Sequence, residues 1–136
     1  MILVPVDGSP DASHALDYAC DISKLLGAEV HVCHAASESA ESDGNENGAT
    51  ILANARRIGR RHNVAVHSHL LHGNPVQAIL RLALETHADL IVMGTHGRTE
   101  RRTVSLGSVA EQMTRDSALP LLLLRDPTYD LNGVAD

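Results

Sequence analysis

The chain contains one lysine, two cysteines and no apolar run approaching the roughly 20 residues that span a bilayer. These scarcities exclude whole classes of function. Lys24 lies in a helical pattern away from the glycine-rich stretches, and no GxxxxGK(S/T) run occurs, so a P-loop is excluded. No GxGxxG follows the first strand-like segment, so the dinucleotide fingerprint is missing as well. Cys20 and Cys33 have neither CxxC nor metal-ligand spacing and read as reduced, buried small hydrophobes. A GxSxG elbow is absent, as are paired carboxylates and redox thiols, which leaves hydrolase and thiol chemistry without support. Met1 runs directly into Ile2-Leu3-Val4-Pro5-Val6 with no basic segment or cleavage pattern, so the expected location is cytoplasmic.

The 136 residues, 43% hydrophobic and 21% charged, suit one soluble domain, expected to span residues 1–136. A formal net charge of -6 repels polyanions and argues against nucleic acid or an anionic membrane as partner. Arg98, Arg101 and Arg102 are a local exception, a basic knot suited to an anionic ligand or simply to a solvated loop.

Residues 2–6 form a short apolar run ending at Asp7-Gly8, the pattern of a buried strand. Ser9-Pro10 then opens a helix as cap and first-turn proline. Ala12, Ala15, Leu16, Ala19, Ile22 and Leu26 follow at helical spacing, and Gly27 ends it. Residues 29–35 form a second strand. Residues 36–50 hold almost nothing that packs and are expected as a mobile loop, with Thr50 capping the next helix. Ile51, Leu52, Ala55 and Ile58 line that helix, and Asn63 ends it. A third strand over 64–72 leads through Gly73-Asn74-Pro75 into a helix with Val76, Ile79, Leu80 and Ala83 inward. A strand over 89–93, a helix over 108–116 and a strand over 121–124 complete the order, with a loose tail at 126–136. Strict alternation predicts an open doubly wound α/β fold: five parallel strands with helices on both faces and ligands beyond the strand carboxyl ends.

The fourth strand runs out into Met93-Gly94-Thr95-His96-Gly97-Arg98, and Gly107-Ser108-Val109 opens the following helix. Glycines at 94, 97 and 107 allow close backbone approach to a ligand, and a helix amino terminus favours negative charge. Phosphate held by those amides and the Ser108 hydroxyl, with arginine adding charge, is the functional reading. A glycine-rich connection with Ser108 as a helix cap is the structural alternative.

Taken together, these residues resemble the universal stress protein family in its ATP-binding branch. The likeness runs through residues 2–9, His34, Gly73-Asn74-Pro75 and the run from Asp89 to Gly97. Gly94, Gly97, Gly107 and Ser108 reproduce the family's nucleotide signature of glycine, two residues, glycine, nine residues, then glycine and a small hydroxyl residue. The resemblance implies strand order 3-2-1-4-5. It places Pro5 and Val6 beside the base, Asp7 at the ribose, the Ala35 backbone at adenine and Met93 on the pocket wall. Gly94, Gly97, Gly107, Ser108 and Val109 would wrap the phosphates, with His96 and Arg98 within reach. Two positions depart from it: Ala110 replaces a hydroxyl some relatives carry, and Glu100 stands where many have glycine. ATP with Mg²⁺ is the implied ligand, and a homodimer through Leu121–Leu124 the implied assembly.

Two uses of such a pocket remain open, a nucleotide-binding stress-response regulator and a slow ATPase or autophosphorylating phosphotransferase. A third reading is a scaffold that binds no nucleotide. Apart from Asp7 and His96 the sequence offers no base, which favours binding over efficient turnover. Nine histidines raise the question of a metal. His67 and His69 share a strand face, but no cysteine or carboxylate joins them at a familiar zinc spacing, so none is expected.

Overall fold

A computed structural model of the chain describes residues 1–36, 48–96 and 106–125. Its elements are β1 (Ile2–Pro5), α1 (Pro10–Leu26), β2 (Val30–Ala36), α2 (Gly48–Arg61), β3 (Val66–His72), α3 (Pro75–Glu85), β4 (Leu90–Gly94), α4 (Ser108–Asp116) and β5 (Leu121–Leu124). The five strands form one sheet in the order β3-β2-β1-β4-β5, and every neighbouring pair is parallel. This is the expected architecture.

Short strands with period-two side chains divide the core into two layers. On one face Ile2, Val4, Val30, Val32 and Val92 meet α1 and α2 through Ala12, Ala15, Leu16, Ala19, Ile51, Leu52 and Ala55. On the other, Leu3, Cys33, Ile91 and Met93 meet α3 and α4 through Val76, Ile79, Leu82, Ala83, Ala110 and Met113. Leu82 is therefore a core residue that the sequence reading passed over, while Leu80 is half-buried beside that layer.

Helix α1 has both expected ends. The Ser9 hydroxyl accepts the Ala12 N–H at 3.1 Å, and Gly27 takes the left-handed conformation at φ 67°. Several strand boundaries shift by one or two residues, β3 for example starting at Val66 rather than 64, and the expected loop after β2 shortens at both ends. Ala36 belongs to β2, and α2 already starts at Gly48, so Thr50 sits inside its first turn instead of capping it. The remainder of the expected loop, 37–47, and the expected tail, 126–136, lie outside the described residues. Among the described residues, no helix is long and apolar enough to cross a membrane.

Candidate functional site

The strand order reverses between β1 and β4, because the chain first builds outward to β2 and β3 and then returns to the far side of β1. In doubly wound sheets a crevice opens at that point, beyond the carboxyl ends of the strands. Here it is a cleft of about 640 Å³ of empty space, counted to its solvent-open mouth. Pro5, Val6 and Asp7 line it from β1 and its exit, and Cys33, His34 and Ala35 from β2. Met93 to His96 close the side below β4, with Pro75 and Ile79 from α3 and Val109 and Ala110 from α4.

Local hydrogen bonds hold the β1 exit in shape. The Val6 N–H donates to the Cys33 carbonyl at 2.8 Å, and the Val6 carbonyl lies 2.8 Å from His34 Nδ1. A carbonyl only accepts, so Nδ1 of His34 carries the proton. Gly8 turns the chain at φ 84°, and the Asp7 carboxylate accepts the Ser9 N–H at 2.9 Å. Asp7 thus stands at the rim in an Asx turn that sets its orientation.

The β4 exit is held by Asp11, a residue the sequence reading did not single out. Asp11 is 1% exposed; its Oδ2 accepts the Thr95 hydroxyl at 3.1 Å and the His96 N–H at 3.2 Å. The Thr95 oxygen also lies 3.0 Å from His96 Nδ1. The one Thr95 hydroxyl proton goes to Asp11, so His96 Nδ1–H donates to Thr95. His96 is buried by this network and serves first to hold the connection after β4 in place. The only sequence signal for Asp11 was an acid in the first turn of α1, where it also suits the helix dipole.

Gly94 has a reason to be glycine other than ligand approach. A Cβ there would lie 2.6 Å from Asp11 Cβ and 2.9 Å from the Ala12 nitrogen, so α1 packs directly on β4 at this point. The Thr95 carbonyl accepts the Gly107 N–H at 2.8 Å, which ties the start of α4 to the end of β4. Gly107 itself is the N-cap, and Ser108 is the first helical residue, which corrects the reading of Ser108 as the cap.

Of the sequence-predicted site residues, Pro5, Val6, Asp7 and Ala35 come together on one side of the cleft. Met93, Gly94, His96 and Val109 face them. Gly107 and Ser108 do not line the cleft themselves but immediately precede Val109, which does. Gly97 and Arg98, with Glu100, Arg101 and Arg102, lie outside the described residues. Thr95, Pro75 and Ile79 were missed, since nothing in a one-dimensional pattern says which helix turn caps a strand end.

Both thiols are free and buried, as expected. Burial pushes the Cys20 thiol up to about 11, with Asp17 and Asp21 adding to the effect. Burial alone pushes Cys33 up to about 12.

A further grouping of polar side chains stands at the opposite end of the sheet. A carboxylate does join the strand histidines: Glu29, His31 and His67 bring one ligand atom each within 4.8 Å of one another. The pairing of β2 with β3, which sets His31 directly opposite His67, is what the linear spacing could not show.

The parallel five-stranded sheet with a cleft at its reversal point defines a doubly wound α/β protein. Residues 1–125 match the model of the Universal stress protein family. A universal stress protein of Methanocaldococcus jannaschii is 31% identical over 139 residues, covering 93% of this chain and 82% of that protein. The universal stress protein of Archaeoglobus fulgidus, solved in complex with dAMP, superposes with a TM-score of 0.73 at 26% identity, covering 90% of this chain and 95% of that one. A universal stress protein solved in complex with cAMP gives a TM-score of 0.72 at 25% identity, over 90% of this chain and 94% of its own. The chain belongs to the universal stress protein family.

Proposed function

We propose that the cleft binds an adenine nucleotide, ATP with Mg²⁺ in the first instance, and that the protein is a nucleotide-responsive regulator. The observation that carries this reading is the pairing of an apolar slot with a polar rim at the strand reversal. Pro5, Val6 and Met93 supply flat apolar walls suited to a purine. Asp7 stands at the rim, where a carboxylate can accept from ribose hydroxyls. The first turn of α4, with Val109 on the cleft wall, offers the positive end of a helix dipole to phosphate. Ser108, Gly97 and Arg98 are proposed to complete the phosphate contacts. The relatives solved with dAMP and cAMP support the adenine part of the reading.

Binding is favoured over turnover because the best-placed polar groups already have structural duties. Asp11 and His96 hold the connection after β4, and Asp7 orders the β1 exit. The proposed assembly is a homodimer through β5, which is the sheet edge beyond β4. Cytoplasmic location, without nucleic-acid or membrane partners, completes the proposal.

Calorimetric titration tests the binding claim. Wild type is expected to take up one ATP per chain, with dAMP and cAMP competing for the same site, and Gly107→Val to lose binding while keeping its circular dichroism. Absence of saturable heat with all three nucleotides would refute the reading. A hydrolysis assay on wild type and Asp7→Ala then separates regulator from ATPase: a measurable rate lost in the variant would favour the enzyme.

A further inference from the structure

Away from the cleft, at the amino-terminal ends of β2 and β3, three histidines and a glutamate share one sheet face. Residues 29 and 31 lie on the same side of the chain by the strand's period of two, and His31 pairs across the sheet with His67. His31 Nε2 is 3.4 Å from Glu29 Oε1, and His67 Nε2 is 3.9 Å from Glu29 Oε2. His69, one step along the same face from His67, meets His31 from behind: its Nε2 lies 2.9 Å from His31 Nδ1. The cluster is roughly 13 Å from Ala35 at about 3.3 Å per strand residue, so it is separate from the nucleotide cleft.

We propose that Glu29, His31 and His67 form a binding site for a divalent transition metal such as Zn²⁺, with His69 as the residue that positions His31. The donor set is two imidazoles and one carboxylate, which suits zinc and its neighbours better than magnesium or calcium. The fourth position is left to water. Zinc takes nitrogen and oxygen at about 2.0–2.2 Å, so donors around one ion must approach more closely than the present 4.8 Å. The side chains can make that movement. His31 is the anchor at 15% exposed, while His67 at 52% and Glu29 at 69% are surface side chains with room to close in.

The contact between His69 and His31 has the form that metal-ligating histidines use. A proton between His31 Nδ1 and His69 Nε2 can reside on His31, which leaves the His31 Nε2 lone pair directed toward Glu29. Such outer partners fix the tautomer and the ring angle of a ligating imidazole. The His31 and His67 rings stack at 4.6 Å with 27° between planes. Binding tilts His67 out of that stack so that its lone pair meets the ion. The consequence for the fold is a staple between β2 and β3, the strand at the open edge of the sheet.

The test is calorimetry of ZnCl₂ with the untagged full chain, freed of metal, with no nucleotide present. Wild type is expected to bind one Zn²⁺ per chain. His67→Ala and Glu29→Gln should each weaken it by roughly tenfold or more, judged against the 10- to 100-fold cost of losing even an outer-shell partner. Both are surface replacements, and His72→Ala, an exposed histidine outside the cluster, should bind like wild type. Co²⁺ supplies a second readout, with visible ligand-field bands of a four-coordinate site in wild type that are lost in His67→Ala. No saturable zinc uptake by wild type, or undiminished uptake by His67→Ala, would overturn the proposal. Nucleotide binding is measured separately, so either proposal can fail while the other stands.

Discussion

Asp11 and Thr95 are 84 residues apart in sequence, yet the Thr95 hydroxyl donates to the buried Asp11 carboxylate at 3.1 Å. This contact fastens the first turn of α1 to the connection after β4, across the strand reversal where the cleft opens. One side chain from the opening helix thus sets the geometry of the site's far wall.

Replacing Asp11 by alanine is expected to leave the Thr95 hydroxyl and the His96 N–H without their acceptor in a buried place. An orphaned buried donor costs about 1–3 kcal/mol. Urea denaturation should show a loss in that range, with His96 becoming more accessible to diethylpyrocarbonate. A loss too small to measure would mean that the network is not structural.

Gly94→Ala is expected to destabilise through overlap with backbone, because the new Cβ meets the Asp11 carbonyl carbon at 2.8 Å. Overpacking of this kind costs about 1–3 kcal/mol. Gly27→Ala offers the contrast. Nothing lies within 4 Å of its Cβ, so only the left-handed φ of 67° is penalised, by about 1–2 kcal/mol. Nucleotide affinity should fall in the Gly94 variant and stay unchanged in the Gly27 variant, since only the former displaces a cleft wall.

The cysteines predict a pH response. Cys33 is held as a neutral thiol by burial, its titration raised from 9.0 to about 12. The folded state binds that proton more tightly than the unfolded state, so the contribution is intact below pH 9 and is lost as pH rises from there toward 12. Stability should therefore decline over that alkaline window, and less steeply in Cys33→Ala after correction for the cavity. Native protein at pH 8 should resist iodoacetamide at both thiols until denaturant is added.

The proposed dimerisation through β5 predicts an asymmetry along that strand. The Pro120 and Leu124 carbonyls accept from β4, so alternation turns the N–H groups of Leu121 and Leu123 to the open edge. Leu123→Pro removes an outward donor and spares the ladder to β4. Analytical ultracentrifugation should show a monomer in the variant and a dimer in wild type, with helical content retained. A monomeric wild type would refute this assembly.

Much of the fold was legible in the sequence because local and global signals agreed. Ser9-Pro10 and Gly27 bracket α1 at both of its observed ends, and the apolar runs fall on strands covered on two faces. What could not be read depends on register and on which turn of a helix meets which strand. Asp11 looked like an ordinary first-turn acid until α1 was laid across β4. Glu29, His31 and His67 looked unconnected until β2 and β3 were paired. Gly94 lines the cleft, and its second reason to be glycine, the packing of α1 against it, depends on the fold.

A crystal structure grown with millimolar ATP shows whether the cleft at the strand reversal holds an adenine nucleotide. Electron density is expected for adenine between Val6 and Met93, ribose at Asp7, and phosphates beside the first turn of α4. An empty cleft, or nucleotide bound elsewhere on the chain, would contradict that expectation.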